Sequence, residues 1–355
     1  MLCLSPTLAY DTLFLLLSRC MEEAAPKSKK TRIPDVLTHV DENILKTMYR
    51  YYYMSVAQVV KSLDYSVNSL PTVRTRLLHL EKKGYISSIY LPTVRKGNFP
   101  KIFYLATGGL NILRKQGFDV PHRYHATEQK EKQYLFLKHT LAVNDVLIAA
   151  NRVAKQFPQV TLYEFRHERE LKRDPEKFTI TLYNETESDA EQATVWKQEA
   201  FYFVPDAFLD FHIEQENKTL RSALLLELDR DTTERRRFQE KIRGILTYIK
   251  AERHVRRYKA RKITVAFATT GGQKRVEKMR EWTRSELAKT HDTWDYGYTF
   301  VFTALPHVID PATQRELEEL DEIDPAMLFL SPVWEFPFTE KKGGKKVVVL
   351  APEPL

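Results

Sequence analysis

The fold of this chain turns on two neighbouring stretches, VPDAFLDF at residues 204–211 and LLLELDRDT at residues 224–232. Both are apolar runs of strand length. The second carries Glu227 and Asp229 two residues apart, which puts both side chains on one face of a strand. The connection between the runs, EQENKT (214–219), is short and polar, so an antiparallel hairpin is expected with its turn at Glu216-Asn217. That register sets Asp206 opposite Glu227, ~5 Å away on the same face, and Asp229 shares the face. Three carboxylates at the ends of apolar strands must protonate, pair with cations or bind a metal. Lys241, on the helix predicted next, is one cation within reach, and Arg235 to Arg237 are others. An oxygen-rich cluster of this kind suits Mg²⁺ or Mn²⁺. The alternative is a buried salt-bridge network without metal.

Outward from the hairpin, the pattern predicts a mixed sheet with helices on its faces. A long apolar-striped helix starts near Lys132 and ends before Pro158. Strands are expected at Val160–Phe165, Tyr202–Ile213 and Ser222–Asp229, with residues 173–200 as an insertion between the first two that has the look of a hairpin of its own. A helix over Thr233–Arg253, a strand in KITVAFATT (262–270), a helix over 273–290 and a strand in YGYTFVFTAL (296–305) complete an α-β-β-β-α-β-α-β order. TTGGQK lacks the full phosphate-loop spacing and reads as a plain strand–helix turn. From Pro306 the chain reads as an appended segment with a Lys-Lys-Gly-Gly-Lys-Lys run.

Ahead of this domain lies an α+β module. VDENILKTMYRYYY (40–53) has helical period with Asp41 as a cap. MSVAQVVKSL (54–63) has Ser55 and Gln58 spaced for a capping box. A third helix, in SLPTVRTRLLHLEKKGYI (69–86), takes Ser69 as its cap and tolerates Pro71 in its first turn. It turns Val73, Leu77, Leu80 and Leu78 inward and leaves Thr72, Arg74, Thr75, Arg76 and His79 outside. Two short strands, Ile86–Leu91 and Ile102–Ala106, flank the basic tip RKGNFPK (95–101). Three helices followed by a basic hairpin describe a winged helix. On that reading Thr72, Arg74 and Arg76 face double-stranded DNA, the arginines being suited to guanine edges. Arg95, Lys96 and Lys101 contact phosphates.

Charge separates the two parts. Residues 21–130 hold 18 Lys and Arg against nine Asp and Glu, while the rest is near neutral, within a net charge of +8. A basic module joined to a neutral one points to a polyanion at the front; a winged helix serving protein–protein contact is the alternative. The two cysteines, Cys3 and Cys20, offer neither a disulfide framework nor a cysteine-based zinc site, which suits a reducing, cytoplasmic setting. The apolar start, Met1 to Cys20, has no basic n-region and no run long enough to span a bilayer, so no membrane association is expected. It reads as an over-extended start or a loose extra segment before Met21. The organisation expected is a leader (1–39), a winged-helix domain (40–120), a polar linker (121–131) whose His122 and His125 are solvated, a sheet domain (132–305) and a C-terminal extension (306–355).

VPDAFLDF, LLLELDRDT and KIRGILTY (241–248) together resemble the replication-relaxation family of plasmids and integrative elements, over about Val40 to Leu305. The resemblance implies a winged helix joined to a PD-(D/E)XK nuclease-like domain. It implies catalytic roles for Asp206, as the Asp of the Pro-Asp motif, and for Glu227. Asp229 stands where active nucleases of that fold carry Lys, and Lys241 is the replacement on the following helix. For the acid supplied by the long helix, Asp145 is the nearest match, with Glu168 and Glu170 behind it. Three functions follow as expectations. One is a sequence-specific double-stranded DNA-binding protein of a mobile element, with relaxase or replication proteins, or a second copy, as partners. Another is a Mg²⁺-dependent endonuclease cutting near its binding site. The third is a dimeric transcriptional regulator.

Overall fold

In the computed structural model, which describes residues 37–90, 101–120, 134–183, 195–215, 218–289, 291–305, 326–338 and 346–350, the sheet grows outward from the Asp206–Glu227 hairpin. The front of the chain comprises α1 (His39–Tyr51), α2 (Val56–Ser62), α3 (Leu70–Lys82), β1 (Ile86–Tyr90), β2 (Lys101–Leu105) and α4 (Thr107–Lys115). The capping box of α2 forms as its spacing predicts: Ser55 accepts from the Gln58 backbone and Gln58 from that of Ser55, each at 3.2 Å. Strands β1 and β2 pair antiparallel from Ile86–Leu105 to Tyr90–Lys101, and Met54 adds a bridge to Phe103. Three expectations are corrected. Ser69 makes no side-chain cap. Asp41 lies inside α1, buried, instead of capping it. Leu78 is 42% exposed while Val73, Leu77 and Leu80 are buried, because three positions over two turns suffice to fill the core side of α3.

The long helix α5 (Tyr134–Gln156) leads into β3 (Val160–His167) and the one-turn helix α6 (Glu168–Leu171). The insertion is a two-stranded sheet of its own, β4 (Glu176–Tyr183) with β5 (Val195–Phe203). The strand expected over Tyr202–Ile213 is therefore two strands. Pro205, which has no N–H to donate to a ladder, separates β5 from β6 (Ala207–Gln215). Then follow β7 (Lys218–Asp229), α7 (Arg235–Lys250), α8 (Arg253–Tyr258), β8 (Thr264–Thr269), α9 (Gly272–Leu287), β9 (Phe300–Ala304), α10 (Met327–Leu330), β10 (Trp334–Glu335) and β11 (Lys346–Val347).

The fold is mixed α/β, with a seven-stranded sheet in the order β11-β10-β9-β8-β7-β6-β3. β7, β8 and β9 run parallel, because helices carry the chain across between them, whereas the short connection before β7 makes β6–β7 antiparallel. Phe238, Ile242 and Ile245 of α7 and Val276 and Met279 of α9 share one core with Leu225, Val265 and Phe267. The C-terminal segment is more than an appendage. Trp334 is fully buried, Phe329 packs on Phe211, and the Arg280 guanidinium meets Glu335 at 2.6 Å. No helix among the described residues is long and apolar enough to cross a membrane.

The described residues from His39 onward form one compact unit. Its front and sheet portions are joined along α5. The Asn144 amide donates to Tyr51 O at 3.0 Å and Tyr53 O at 2.7 Å, and the Gln58 amide to Leu141 O at 2.7 Å and Asp145 Oδ1 at 2.8 Å. Burial pushes the Asp145 carboxyl up to about 6, against the Gln58 hydrogen bond. A raised acid contributes stability that is fully present below its unfolded value near 4 and is lost as pH rises through about 6. Asp145→Asn keeps the acceptor for Gln58 and removes the half-buried charge. It should add about 1 kcal/mol at pH 8 and flatten the decline between about pH 4 and 6, measured by urea denaturation. An Asn variant less stable than the parent at pH 8 would refute this.

Candidate functional site

The β6–β7 hairpin has the expected register, running from Ala207–Leu226 to Gln215–Lys218. One step beyond it, the Asp206 N–H donates to Leu226 O at 3.0 Å and the Leu228 N–H to Asp206 Oδ2 at 2.7 Å. The Glu168 N–H donates to Asp206 O at 2.9 Å, and His139 Nε2 to Asp206 Oδ1 at 2.9 Å. Asp206 therefore sits where β6, β7, α5 and α6 converge. Burial opposes its charge, but the His139 hydrogen bond and the nearby charges of His139 and Lys241 hold its carboxyl below the ordinary range. For His139, burial works against protonation and Asp206 outweighs it, so the imidazole is raised. His167 turns α6 into position: its Nδ1 accepts from the Arg169 N–H at 3.3 Å. Burial lowers this imidazole to about 3, so it is neutral.

His139, Glu168 and Asp206 each present a ligand atom within 4.8 Å of the others. One imidazole and two carboxylates form a donor set suited to Mn²⁺ and, with waters, to Mg²⁺. Glu227 is buried beside this group, with Oε2 bonded to the Lys241 ammonium and Oε1 without a hydrogen-bond partner among the described residues. Burial pushes its carboxyl up to about 7, Lys241 pulling against the rise and Asp206 adding to it. Lys241 is raised in turn: burial disfavours its charge, but Glu227 and Asp206 more than restore it.

The remaining expected residues are placed elsewhere. Asp229 shares the Glu227 face but is held by Arg275 at 2.7 and 2.9 Å and accepts from the Asp231 N–H at 2.8 Å, so its oxygens are committed to an internal ion pair. Arg235 and Arg236 reach Ser285 and Glu240, away from the cluster. Asp145 faces Gln58 instead of Asp206, Glu170 is exposed, and α5 supplies an imidazole, His139, in place of the expected acid. A histidine in an apolar-striped helix beside buried Leu137 and Thr140 was the available signal.

On α3, Thr72 and Arg74 are exposed. Arg76, expected on the open face with them, forms a bidentate pair with buried Asp41 of α1, one arm at 2.7 Å, and is committed to the fold. Lys101 pairs with Glu81 at 3.0 Å beside the Tyr90 ring. Arg95 and Lys96 lie outside the described residues.

The model of the replication-relaxation family matches residues 45–292. The chain belongs to that family. No curated protein and no solved structure matches it. Membership in the replication-relaxation family suggests a role in plasmid or element replication. The matched span runs from within α1 past α9 and so takes in both the exposed face of α3 and the whole Asp206 site.

Proposed function

We propose that this replication-relaxation protein is a sequence-specific double-stranded DNA-binding protein, acting in the replication or mobilisation of a plasmid or other mobile element. The observation that carries the reading is α3, which buries Val73, Leu77 and Leu80 and leaves Thr72, Arg74 and Thr75 open to solvent. With two helices before it and the β1–β2 hairpin after it, α3 has the place of a winged-helix recognition helix. Arg74 is the guanine-reading candidate, and Thr72 is exposed two residues before it on the same turn. Arg74→Ala should weaken binding at preferred sites by about 1–3 kcal/mol and leave the melting temperature unchanged. Arg76→Ala should instead lower the melting temperature, because it strands the buried Asp41 carboxylate. Selection of a binding site from random duplexes, followed by anisotropy titration of both variants, tests this. Equal binding by Arg74→Ala and the parent at the selected site would overturn the role of α3.

The sheet portion fits a PD-(D/E)XK-like centre in which His139, Glu168 and Asp206 hold Mg²⁺ or Mn²⁺. A metal bound there would supply Lewis-acid polarisation of a phosphate and a more acidic water. A second reading, metal-dependent cleavage of DNA near the bound site, is favoured by one contact. Lys241 reaches Glu227 from α7 and so brings an ammonium to the acids that the strand itself lacks. Its charge can stabilise negative charge developing at phosphorus. Incubation of closed circular plasmid with the purified chain, with and without Mg²⁺ or Mn²⁺, tests it. Nicking lost in Asp206→Asn and Lys241→Ala supports the enzyme, and intact plasmid under conditions of full binding rejects it.

A further inference from the structure

Residues 253–262, RHVRRYKARK, contain six Lys and Arg and no acid. The fold sorts these cations into two sets. Arg253 and Arg257 turn to Glu176, at 3.4 and 3.2 Å, and Arg257 also donates to Asp174 O at 2.6 Å. Arg256, Lys259, Arg261 and Lys262 are exposed, and among the described residues no acidic side chain pairs with them. Among the described residues Arg256 donates only to a backbone carbonyl, Ala251 O, at 3.2 Å. By contrast α9 interleaves Lys274, Glu277, Lys278, Glu281 and Arg284, the mixed signs of an ordinary solvated helix face.

The backbone beneath the outward set is anchored. Asp210, buried in β6, holds the Arg221 guanidinium at 2.7 to 3.2 Å. The same guanidinium donates to Tyr258 O at 2.8 Å and Lys259 O at 2.5 Å. The Tyr258 ring stacks on Phe208 at 4.0 Å, and His254 Nε2 lies 3.3 Å from Arg261 O. Lys259 itself takes a left-handed conformation, φ 53°, a strained state for a residue with a side chain that the grip of Arg221 on its carbonyl helps to hold. Four cations thus project from a fixed turn, which reduces the ordering entropy lost when they meet a polyanion.

We propose that Arg256, Lys259, Arg261 and Lys262 form a second DNA-binding surface, a ridge that grips duplex phosphates without reading sequence. The inference rests on the double-stranded DNA reading of α3 and extends it to the sheet portion of the chain. Arg and Lys on phosphate oxygens position a protein on DNA, and each phosphate neutralised contributes about −0.9 to the slope of log K against log salt.

The test is anisotropy titration of the full-length chain and of R256A/K259A/R261A/K262A against a duplex of arbitrary sequence, between 50 and 200 mM salt. The quadruple variant should lose about 3.6 units of slope if all four groups contact phosphate, with its melting temperature unchanged. The charge-conserving R256K/R261K should retain the parental slope, which separates lost charge from lost packing. An unchanged slope in the folded quadruple variant overturns the ridge and leaves the α3 reading standing. A parental chain that binds no duplex at all removes the α3 reading and the ridge with it. Weaker binding of the variant to single-stranded RNA or anionic vesicles, with its duplex slope unchanged, assigns the ridge to another polyanion and also overturns the proposal.

Discussion

Lys241→Ala should destabilise the protein by about 3 kcal/mol at pH 8, because removing one partner of a buried ion pair leaves the other charge without compensation. The side chain of Glu227 is 1% exposed and that of Lys241 is 39% exposed, which argues for the lower end of the usual range. The loss should depend on pH. Glu227 has a folded value raised to about 7, so its contribution to stability is fully present below its unfolded value and is lost as pH rises through about 7. Without Lys241 that value rises further and the loss deepens. The deficit should therefore be smallest near about pH 5, where Glu227 is protonated with or without its partner, and largest above about pH 7. Urea denaturation at both ends of the range measures it. The double variant Glu227→Gln with Lys241→Met should recover most of the loss. A double variant no more stable than Lys241→Ala would show that the ammonium stabilises the fold through something other than Glu227.

Mn²⁺ at a hundredfold excess over its dissociation constant should stabilise the folded chain by about 2.7 kcal/mol, since a ligand that binds only the native state shifts the folding equilibrium. Asp206→Asn should abolish the shift. His139→Ala and Glu168→Gln should each weaken it, because each removes one of the three donors that lie within 4.8 Å of one another. Asp229→Asn should leave it unchanged, since Asp229 is engaged by Arg275. Thermal denaturation of chelator-treated protein, with and without Mn²⁺, gives each difference within a single variant. Variants that differ in baseline stability therefore remain comparable. A shift that survives Asp206→Asn would place the metal elsewhere. A shift lost in Asp229→Asn with the fold intact would restore the acid set expected from strand alternation alone.

Strand alternation and a short polar connection are local properties, and they were enough to set the β6–β7 register and bring Asp206 next to Glu227. The Ser55–Gln58 capping box is local too, as is the order of helices and strands that makes β7, β8 and β9 parallel. Helical spacing also put Lys241 on the sheet side of α7, within reach of Glu227.

Other assignments depended on which distant element arrives at a given face. Asp229 and Glu227 are equivalent by alternation, yet α9 delivers Arg275 to one and α7 delivers Lys241 to the other. Arg76 lies on the outer side of α3 by period, but the packing of α1 against the front core brings Asp41 to it. His139 joins the site because α5 crosses the start of β6, and Asp145, six residues further along the same helix, is carried round to Gln58. The chain's local pattern was therefore enough for the hairpin register and the pairing of acids across it, since these rest on contacts between near neighbours in the chain. Only the tertiary structure decided which carboxylates stay available to a ligand. That choice depends on cations brought in from elements far along the chain, whose approach follows from the packing of the whole core.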